Sequence, residues 1–233
     1  MSLEFLSPAE SALARSPMER EARAAGARVE RLHGWNVAVR IDGEEPERRR
    51  CESSVGFADR SHLGKIELQA GPADLAQLVA GGSGGESLEL GRATRAAGAW
   101  WCPYTPTRAL VLCEPADTAT LRAGLEEAAA ASAGPASVID VTTAFAALTV
   151  VGPLAGEVFA RFSAVDLRPA VMPVHGFRPV SVARTPGTVL CEAEQRYLTL
   201  FGAALGSYMW TVVADAAESL GGGPVGLEAL GDA

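Results

Sequence analysis

The sequence predicts an α+β protein in which helices pack on antiparallel sheets. The main observation is a unit that occurs twice: an alternating apolar segment, a Gly-Pro pair, and then apolar residues at helical spacing. The two copies begin at residues 66–70 and 145–151, and their Gly-Pro pairs are residues 71–72 and 152–153. Proline in a first helical turn costs no hydrogen bond, because that N–H has no partner inside the helix. Apolar residues make up 48% of the chain and charged residues 21%, as in an ordinary globular protein.

The N-terminal region is predicted to hold a helix and a strand. Residues 1–15 are expected to form a loose arm. A helix is predicted over residues 17–25, with Ser16 as its N-cap and Gly26 near its end. Residues 34–41 are predicted to form a strand. The charged run after it, which includes residues 47–50, is expected to be a solvated loop.

Two weaker strand-to-helix units complete the pattern. Residues 110–113 lead into a helix that ends near Ala133, and residues 197–201 lead into a helix over residues 203–220. The predicted inward side chains of the second helix are Tyr208, Trp210 and Val213. Further strands are predicted over residues 87–96, 138–141, 177–184 and 189–192. The glycine-rich run at 81–85 is expected to be a flexible loop rather than a phosphate loop, because no Lys-Ser/Thr pair follows it.

This order of elements matches two ferredoxin-like units in tandem, with antiparallel sheets flanked by helices. The predicted domain covers residues 16–220 and divides into sub-units at about 16–141 and 142–220. Residues 221–233 are assigned to a C-terminal tail. A chain of 233 residues is long enough to bury a full core.

The composition argues against several classes of function. The net charge is −8, whereas nucleic-acid binding needs a basic face, so no nucleic-acid partner is expected. We find no apolar run long enough for a membrane span and no export signal, so a cytoplasmic location is expected. The cysteines at positions 51, 102, 113 and 191 are widely spaced, which argues against a zinc site and favours free thiols. The absence of a G-x-S-x-G elbow argues against a serine hydrolase.

Residues 56–75, GFADRSHLGKIELQAGPADL, carry the most informative motif. This run resembles the entry to the folate-binding domain of the glycine-cleavage T-protein (aminomethyltransferase) family, in which G-L/F-x-D-x-S-H-M-G-K-I leads into the first strand. It contains Lys65, the only lysine of the chain, although a genome rich in G and C explains a lone lysine without a special role. The resemblance implies a T-protein-like fold, one-carbon chemistry and tetrahydrofolate as a possible cofactor.

The second half of the chain resembles another member of the same superfamily, the gamma subunit of heterotetrameric sarcosine oxidase. The matching stretches are residues 137–142, 148–155 and 165–169, with a weaker continuation at 206–210. Together the two resemblances cover about residues 17–220. The resemblance to the gamma subunit implies flavin-dependent oxidase subunits as possible partners.

Two departures remove the acids on which T-protein chemistry depends. In the T-protein a similar Tyr-Thr-Pro leads into a loop of the type N-E-R-G-G-I-x-D-D, whose aspartate lies near the reacting folate nitrogen. Here residues 104–106 lead through Thr107 directly into the next strand, so the loop and its aspartate are absent. Aminomethyl transfer needs such a side chain, because protons move during the reaction. The T-protein also has a G-Y-T-G-E-x-G-F-E-L-Y pattern, whose second glutamate binds the pterin. Leu198 falls near that place, and leucine cannot accept a hydrogen bond.

The resemblance implies a set of folate-contacting residues but no catalytic one. Tyr104 would stack on the pterin, Leu63 would line the pocket wall, and Arg184 would bind a carboxylate of the folate tail. Asp59 and His62, together with Ser61, would line the mouth of the site. Each has a structural alternative: turn-closing hydrogen bonds for the residues of the 59–62 turn, a turn position between prolines for Tyr104, a core position for Leu63 and a surface position for Arg184.

We therefore expect a catalytically degenerate aminomethyltransferase-like domain that acts as a non-catalytic, gamma-type subunit of a folate-linked sarcosine or amine oxidase. Two alternatives stay open. One is a compact tetrahydrofolate-dependent aminomethyltransferase that uses a different acid, such as Asp59 or Glu194. The other is a stand-alone folate-binding regulator.

Overall fold

The computed structural model describes residues 14–231. The helices are α1 (Glu19–Ala24), α2 (Glu44–Ser53), α3 (Pro72–Ser83), α4 (Thr118–Ala130), α5 (Ala155–Phe162) and α6 (Gly206–Glu218). The strands of the first half are β1 (Ala14–Arg15), β2 (Arg28–Leu32), β3 (Trp35–Arg40), β4 (Gly56–Asp59), β5 (Gly64–Ala70), β6 (Thr94–Ala96), β7 (Ala99–Thr105) and β8 (Arg108–Cys113). The second half adds β9 (Ala136–Asp140), β10 (Phe145–Val151), β11 (Phe177–Val182), β12 (Thr185–Ala193), β13 (Arg196–Gly202) and β14 (Gly223–Pro224).

Two large sheets lie at the centre of this part of the chain. The five-stranded sheet has the order β6-β7-β8-β5-β9, and the six-stranded sheet has the order β11-β12-β13-β10-β4-β14. Neighbouring strands in both sheets are antiparallel except for the short β14, which is parallel to β4. A smaller sheet has the order β1-β3-β2. The predicted α+β class, with antiparallel sheets flanked by helices, is confirmed.

The outer face of the five-stranded sheet packs on α3 and α4. Ile66 and Leu68 of β5 are buried in this core together with side chains of both helices. Because successive side chains of a strand point to opposite faces, Lys65 and Glu67 lie on the inner face. The tryptophan pair of β7 divides in the same way, with Trp101 in the helix-covered core and Trp100 on the inner side.

The outer face of the six-stranded sheet packs on α1, α5 and α6. Phe57 of β4 and Phe201 of β13 are fully buried there, together with Phe159 of α5 and Met209 of α6. The rings of Phe57 and Trp210 meet edge to face, with centroids 5.0 Å apart. Strands and helices therefore share one continuous core on this side of the molecule.

The inner faces of the two sheets pack directly on each other. We call the buried apolar side chains between them the inter-sheet cluster: Leu63, Ala93, Trp100, Cys102, Leu110, Leu112, Ala147, Phe177, Leu190, Leu198 and Leu200, with Tyr104, Val141 and Phe145 at its edge. The result is a four-layer arrangement of helices, sheet, sheet and helices. Any ligand that enters between the sheets has to approach from the ends of this cluster.

The two sheets interlock through β4. The five-stranded sheet contains the run β5-α3-β7-β8-α4-β9, which is a β-α-β-β-α-β order. The six-stranded sheet contains β10-α5-β12-β13-α6, and β4 pairs with β10 at the place where a last strand would lie. Since β4 precedes β5 in the chain, residues 56–59 of the first predicted sub-unit complete the sheet of the second.

The charged run at residues 47–50 lies in helix α2, so the prediction of a solvated loop is wrong. Acidic residues occupy the first turn of α2 and Arg50 lies in its last turn, an order that the helix dipole favours. Glu47 is 1% exposed, and its carboxylate accepts hydrogen bonds from the backbone N–H groups of residues 41, 42, 43 and 226. A buried carboxylate therefore fixes the start of the helix.

The prediction of a flexible loop at residues 81–85 is also wrong for the first three of these residues, which are helical. Gly81, Gly82 and Ser83 form the end of α3, and Gly84, with φ +80°, terminates the helix in a left-handed conformation. A Cβ at Gly82 would lie 2.4 Å from the Trp101 ring, whereas a Cβ at Gly81 would meet nothing within 4 Å. Glycine at 82 thus allows α3 to approach β7 closely.

Other boundaries differ from the predictions. The strand predicted over residues 87–96 is reduced to Thr94–Ala96, and the helix predicted to end near Ala133 ends at Ala130. The sequence pattern did not reveal β7, because its tryptophans and Pro103 obscure the alternation of the strand. Trp210 and Val213 of α6 are buried as predicted, but Tyr208 is 47% exposed and donates its hydroxyl hydrogen bond to the carbonyl of Ala183.

The two predicted terminal segments are described only in part. Of the expected N-terminal arm, residues 1–13 lie outside the described residues, and β1 pairs with β3. Of the expected C-terminal tail, residues 221–231 are described. Within them, β14 pairs with β4, and Val225 and Leu230 are buried.

Candidate functional site

The inter-sheet cluster has a cavity at each of two opposite ends. The Arg60 cavity, of about 480 Å³, lies where β7 begins and β8 ends, and its lining residues are Arg60, Leu63, Arg95, Trp100, Leu112, Cys113, Glu114, Glu192, Arg196, Leu227, Glu228, Leu230 and Gly231. The Tyr104 cavity, of about 350 Å³, lies where β7 ends and β8 begins. Its lining residues are Glu67, Tyr104, Thr105, Arg108, Phe145, Pro179, Pro186, Gly187, Thr188 and Leu200.

The turn between β4 and β5 places four polar residues inside the protein. Asp59 is buried and its Oδ1 accepts a hydrogen bond from the N–H of Ser61 at 2.8 Å. Burial raises the pKa of Asp59, while hydrogen bonds from Ser16 and Ser61 oppose that shift. The Ser61 hydroxyl accepts a hydrogen bond from the N–H of Ala147 at 3.1 Å, which attaches the turn to β10.

Lys65 is fully buried beneath this turn. Its Nζ donates hydrogen bonds to the carbonyls of Ser61 at 2.9 Å, Leu63 at 2.8 Å and Thr142 at 3.3 Å. Burial lowers the pKa of Lys65 to about 8, and the neighbouring Asp59 opposes that shift. The lone lysine of the chain therefore holds the turn together, which is a structural role that genome composition alone does not explain.

His62 points away from both inter-sheet cavities. It lines a separate surface depression with Trp35, Pro115, Thr118, Asp140, Thr142 and Thr143. His62 is 5% exposed, and burial lowers its pKa to about 3, with additional repulsion from the charges of Arg60 and Lys65. At neutral pH its imidazole is uncharged.

Arg60 is a buried arginine whose guanidinium is not hydrogen-bonded to an acid. The residue is 8% exposed, and its Nε has no hydrogen-bond partner among the described residues. The nearest acid is Glu114, whose Oε1 lies 3.6 Å from an Nη atom of Arg60, beyond hydrogen-bond distance. Burial lowers the pKa of Arg60, whereas the charges of Glu192 and Glu114 oppose that effect.

The second buried arginine of this cavity is paired with a carboxylate. Arg196 donates a hydrogen bond from Nε to Oε2 of Glu192 at 3.2 Å and another from Nη1 to the carbonyl of Leu230. The Thr149 hydroxyl donates a longer hydrogen bond to the same Glu192 oxygen at 3.4 Å. Arg95 lies above the Trp100 ring, with its Cζ 5.2 Å from the ring centroid.

The Tyr104 cavity contains one buried carboxylate. Glu67 accepts hydrogen bonds from Nη2 of Arg108 at 2.8 Å and from Nε2 of Gln69 at 2.5 Å. The ring of Tyr104 packs edge to face on Phe177, with centroids 5.4 Å apart, and Arg108 lies over its other side. Burial raises the pKa of the Tyr104 phenol, so its hydroxyl group stays protonated at neutral pH.

The connection between β7 and β8 is a tight hairpin. Thr105 pairs with Arg108, so that Pro106 and Thr107 alone form the turn. The aspartate-bearing loop that the T-protein resemblance would place after Tyr104 has no counterpart between these two strands. In the T-protein pattern the pterin-binding glutamate falls near Leu198, which is fully buried in the inter-sheet cluster.

The five residues predicted to contact folate do not form one site. Leu63 lines the Arg60 cavity and Tyr104 lines the Tyr104 cavity. His62 lines the separate depression, and Asp59 is buried beneath the turn. Arg184 is exposed in the turn between β11 and β12, with φ +65°.

Neither alternative acid named in the sequence analysis lines a cavity between the sheets. Asp59 is enclosed as described above, and Glu194 is exposed in the turn between β12 and β13. The acids that do line the two cavities are Glu67, Glu114, Glu192 and Glu228. None of these acids was predicted from the sequence as a site residue, and neither were the arginines at 60, 95 and 196.

One sequence signal could have revealed part of this charged set. Glu192 and Arg196 lie in otherwise apolar strands, at β12 and β13 positions next to the hairpin turn. A carboxylate and a guanidinium four residues apart across such a hairpin can pair inside the protein. No comparable signal exists for Arg60, because it occurs in a polar turn where exposure is the ordinary expectation.

Within residues 14–231 no cluster of three histidine, cysteine or acidic side chains is arranged to hold a metal ion. The four cysteines are free thiols. In the same range, no helix has both the length and the apolar character that crossing a membrane requires.

The residues present offer a pterin no unpaired acceptor as they are arranged in this structure. The edge of a pterin offers several hydrogen-bond donors in a row and needs a paired acceptor. Leu198 offers none, and the two buried carboxylates, Glu192 and Glu67, already accept hydrogen bonds from arginines. The arginine-rich Arg60 cavity is instead suited to an anion.

The fold resembles those of two kinds of solved structure. One is a chain of the heterotetrameric sarcosine oxidase from Corynebacterium sp. U-96 in complex with pyrrole 2-carboxylate, with a TM-score of 0.68 and 22% identity. The alignment covers 89% of this chain and 96% of that chain. The other is the glycine cleavage system aminomethyltransferase T from Bartonella henselae, with a TM-score of 0.78 and 16% identity. That alignment covers 93% of this chain but 60% of the aminomethyltransferase.

No protein-family model matches the sequence, and no curated protein matches it. The two structural likenesses confirm the fold that the sequence motifs predicted. The chain has a T-protein-like fold, and it shares this fold with a sarcosine oxidase chain.

Proposed function

We propose that this chain is a non-catalytic, gamma-type subunit of a folate-linked sarcosine or amine oxidase, with flavin-dependent oxidase subunits as its partners. The observation that carries the proposal is the state of the buried carboxylates. Glu67 and Glu192 are the buried acids that line the two inter-sheet cavities, and each is paired with an arginine.

The chemistry of aminomethyl transfer explains why this pairing matters. A one-carbon transfer to tetrahydrofolate requires a group that takes up and releases protons at the reacting nitrogen. A carboxylate that accepts charge-assisted hydrogen bonds from a guanidinium is held in place as an ion-pair partner. The two-residue turn between β7 and β8 leaves no room for an additional acid at that end of the cluster.

The extent of the structural likeness supports a subunit role. The chain spans 96% of the sarcosine oxidase chain but 60% of the aminomethyltransferase. The aligned region therefore corresponds to nearly all of one chain of a heterotetrameric oxidase and to part of the transferase.

A surface for a partner is available on two neighbouring loops. Leu90, Val171 and Val174 are 57%, 46% and 42% exposed. Backbone hydrogen bonds from Ala93 to His175 and from Phe177 to Gly91 join the two loops. Exposed apolar side chains grouped in this way are typical of protein–protein contacts.

Purification from the native host under mild conditions tests the proposal. We expect a tagged chain to co-purify with a larger subunit that carries flavin absorption. A matched pair of variants locates the contact: Leu90→Asp with Val174→Asp should release the partner, whereas Ile139→Asp, at a side chain that is 45% exposed on β9, should retain it. A chain that is always recovered alone, without flavin, would contradict the proposal.

One observation favours a second candidate, a compact tetrahydrofolate-dependent aminomethyltransferase. Glu67 and Tyr104 line the same cavity, so a carboxylate and an aromatic ring lie together there. Arg108, which pairs with Glu67, has a side chain that is 47% exposed and is therefore free to move away. Glu67 would then be available as an acid–base group.

Calorimetric titration with tetrahydrofolate tests this second candidate. Binding that is weakened in both a Tyr104→Ala and a Glu67→Gln variant would support it, because both side chains line the cavity. The absence of heat and of any thermal shift at high ligand concentration would exclude it.

A further inference from the structure

We propose that the Arg60 cavity binds a small organic anion and that Arg60 recognises its carboxylate or phosphate group. The inference concerns the isolated chain and holds whether or not the chain assembles with an oxidase. It begins with a guanidinium that is buried inside the protein without a hydrogen-bonded counter-charge.

Burial of such a group has a cost that needs an explanation. A buried charge that lacks a hydrogen-bonded partner destabilises a protein, and buried charges are therefore normally paired. Arg60 is 8% exposed, and Glu114, the nearest acid, has a side chain that is 53% exposed and lies 3.6 Å away. A structural salt bridge would be closer and would involve a less exposed acid.

The other two acids of the cavity form ion pairs with arginines other than Arg60. Glu192 pairs with Arg196, and Glu228 pairs with both Arg28 and Arg40 on the protein surface. Arg95 adds a further positive charge above Trp100. With Glu192 and Glu228 paired in this way, Arg60 and Arg95 face Glu114 alone, which leaves one positive charge of the lining for which an anion that enters from solvent would compensate.

The shape of a guanidinium determines which anions fit. Its planar N–H groups match two oxygens of a carboxylate or phosphate at once, which gives paired charge-assisted hydrogen bonds. In Arg60 the Nε–H is one of the donors that has no partner. Both kinds of anion share this oxygen geometry, so the test has to compare them.

The cavity walls indicate that the anion is attached to an apolar group. Leu63, Trp100, Leu112, Leu227 and Leu230 line the space beside the arginines. A volume of about 480 Å³ lies in the range of sites for small organic molecules. An inorganic ion alone would leave these side chains without contacts.

Thermal unfolding with small probes tests the proposal on the full chain. The probes are benzoate, phenyl phosphate and the uncharged benzamide. We expect benzoate or phenyl phosphate at about ten times its Kd to raise the Tm of the wild-type protein by about 3 °C, and benzamide to leave it unchanged. With the two anions compared at one equal concentration, the one that gives the larger shift has the preferred head group.

Two arginine variants give the test its control. Arg60→Met should weaken calorimetric binding of the anion at least tenfold, as expected from the loss of a charge-assisted pair. The same variant should have an equal or higher Tm than the wild type without ligand, because it removes an unpaired buried charge. Arg161→Met changes an exposed arginine of α5 outside the cavity and should bind the anion as the wild type does.

Four results would overturn the proposal. Benzamide could stabilise the protein as much as benzoate, or no probe could bind at millimolar concentration. Arg60→Met could lower the Tm without ligand, which would show that Arg60 serves the Glu114 ion pair. Arg60→Met could also bind the anion as tightly as the wild type does, which would show that the anion binds elsewhere.

Discussion

At the scale of single residues, Glu47 joins two distant parts of the chain. Its carboxylate accepts hydrogen bonds from the N–H groups of Ile41 at 2.6 Å, Asp42 at 2.8 Å and Gly43 at 3.1 Å. The other oxygen accepts one from the N–H of Gly226 at 2.6 Å. The start of α2 and the C-terminal segment beside β4 therefore depend on one side chain.

Replacement of Glu47 by Ala should destabilise the protein strongly. The change leaves four backbone N–H groups without their acceptor, and we expect the free energy of unfolding to fall by about 3 kcal/mol. Denaturant unfolding of Glu47→Ala against the wild type measures the change. Glu45→Ala, in the exposed first turn of the same helix, should change stability far less. Equal effects of the two variants would contradict the assigned role of Glu47.

His62 should make stability depend on pH in the acid range. Its pKa is about 3 in the folded protein against 6.5 for an ordinary histidine. Between these values the unfolded chain binds more protons than the folded protein, so stability falls as the pH is lowered. The stabilisation that the uncharged His62 gives to the folded protein is complete above pH 6.5. Between pH 6.5 and about pH 3 it falls by up to about 1.4 kcal/mol per pH unit.

A His62→Asn variant isolates this contribution. The difference in unfolding free energy between wild type and variant should be constant above pH 6.5 and should decrease steadily towards pH 3. Subtraction of the variant removes the effects of Asp59 and other carboxyl groups that titrate in the same range. A difference that does not change with pH would show that His62 is accessible to solvent protons when folded.

Two buried charged residues, Glu47 and Arg60, show the limit of prediction from sequence. Charged residues in a polar run such as 44–50 or 59–62 are ordinarily exposed, and no local pattern distinguishes the few that are buried. Glu47 and Arg60 are buried because segments distant in sequence cover them: the C-terminal segment in one case and the second sheet in the other. Such contacts can be read only from the three-dimensional structure.

At the scale of elements, strands and helices with regular periodicity were predicted well. The alternation at 66–70 and at 145–151 identified β5 and β10, because one face of each strand packs on helices and the other on the second sheet. β7 was missed because both of its faces are buried and apolar side chains occur without alternation. α2 was missed because its charged surface lacks an apolar stripe.

The end of α3 offers a matched pair of glycines for a test at this scale. Gly81→Ala should raise the free energy of unfolding by up to about 1 kcal/mol, because alanine favours the helix and its Cβ meets open space. Gly82→Ala should lower it by about 1–3 kcal/mol, because its Cβ would lie 2.4 Å from the Trp101 ring and force α3 away from β7.

Urea unfolding followed by circular dichroism measures both variants. If both glycines belonged to a flexible loop, neither substitution would change stability appreciably. That result would contradict the helical assignment of residues 81–83.

At the scale of the whole molecule, the two halves depend on each other. β4 precedes β5 in the chain but pairs with β10 in the other sheet, and the inter-sheet cluster contains side chains from both sheets. Neither half can bury its inner face alone. The division at about residues 141 and 142 that the sequence suggested is therefore crossed by a strand and by a shared core.

We expect one cooperative unfolding transition for residues 14–231. Tryptophan fluorescence reports on both halves, because Trp100 and Trp101 lie in β7 and Trp210 lies in α6. Denaturation curves from fluorescence and from far-ultraviolet circular dichroism should coincide. Two separated transitions would show that the sheets fold as independent domains.

We propose that residues 14–231 of this T-protein-like chain hold no working acid–base group for one-carbon transfer. The most direct measurement is the rate at which the purified chain transfers a one-carbon unit from an aminomethyl donor to tetrahydrofolate. We predict a rate equal to that of the reaction without protein, and no difference between the wild type and its Glu67→Gln and Glu192→Gln variants. A wild-type rate clearly above the uncatalysed one that falls in either variant would contradict the claim.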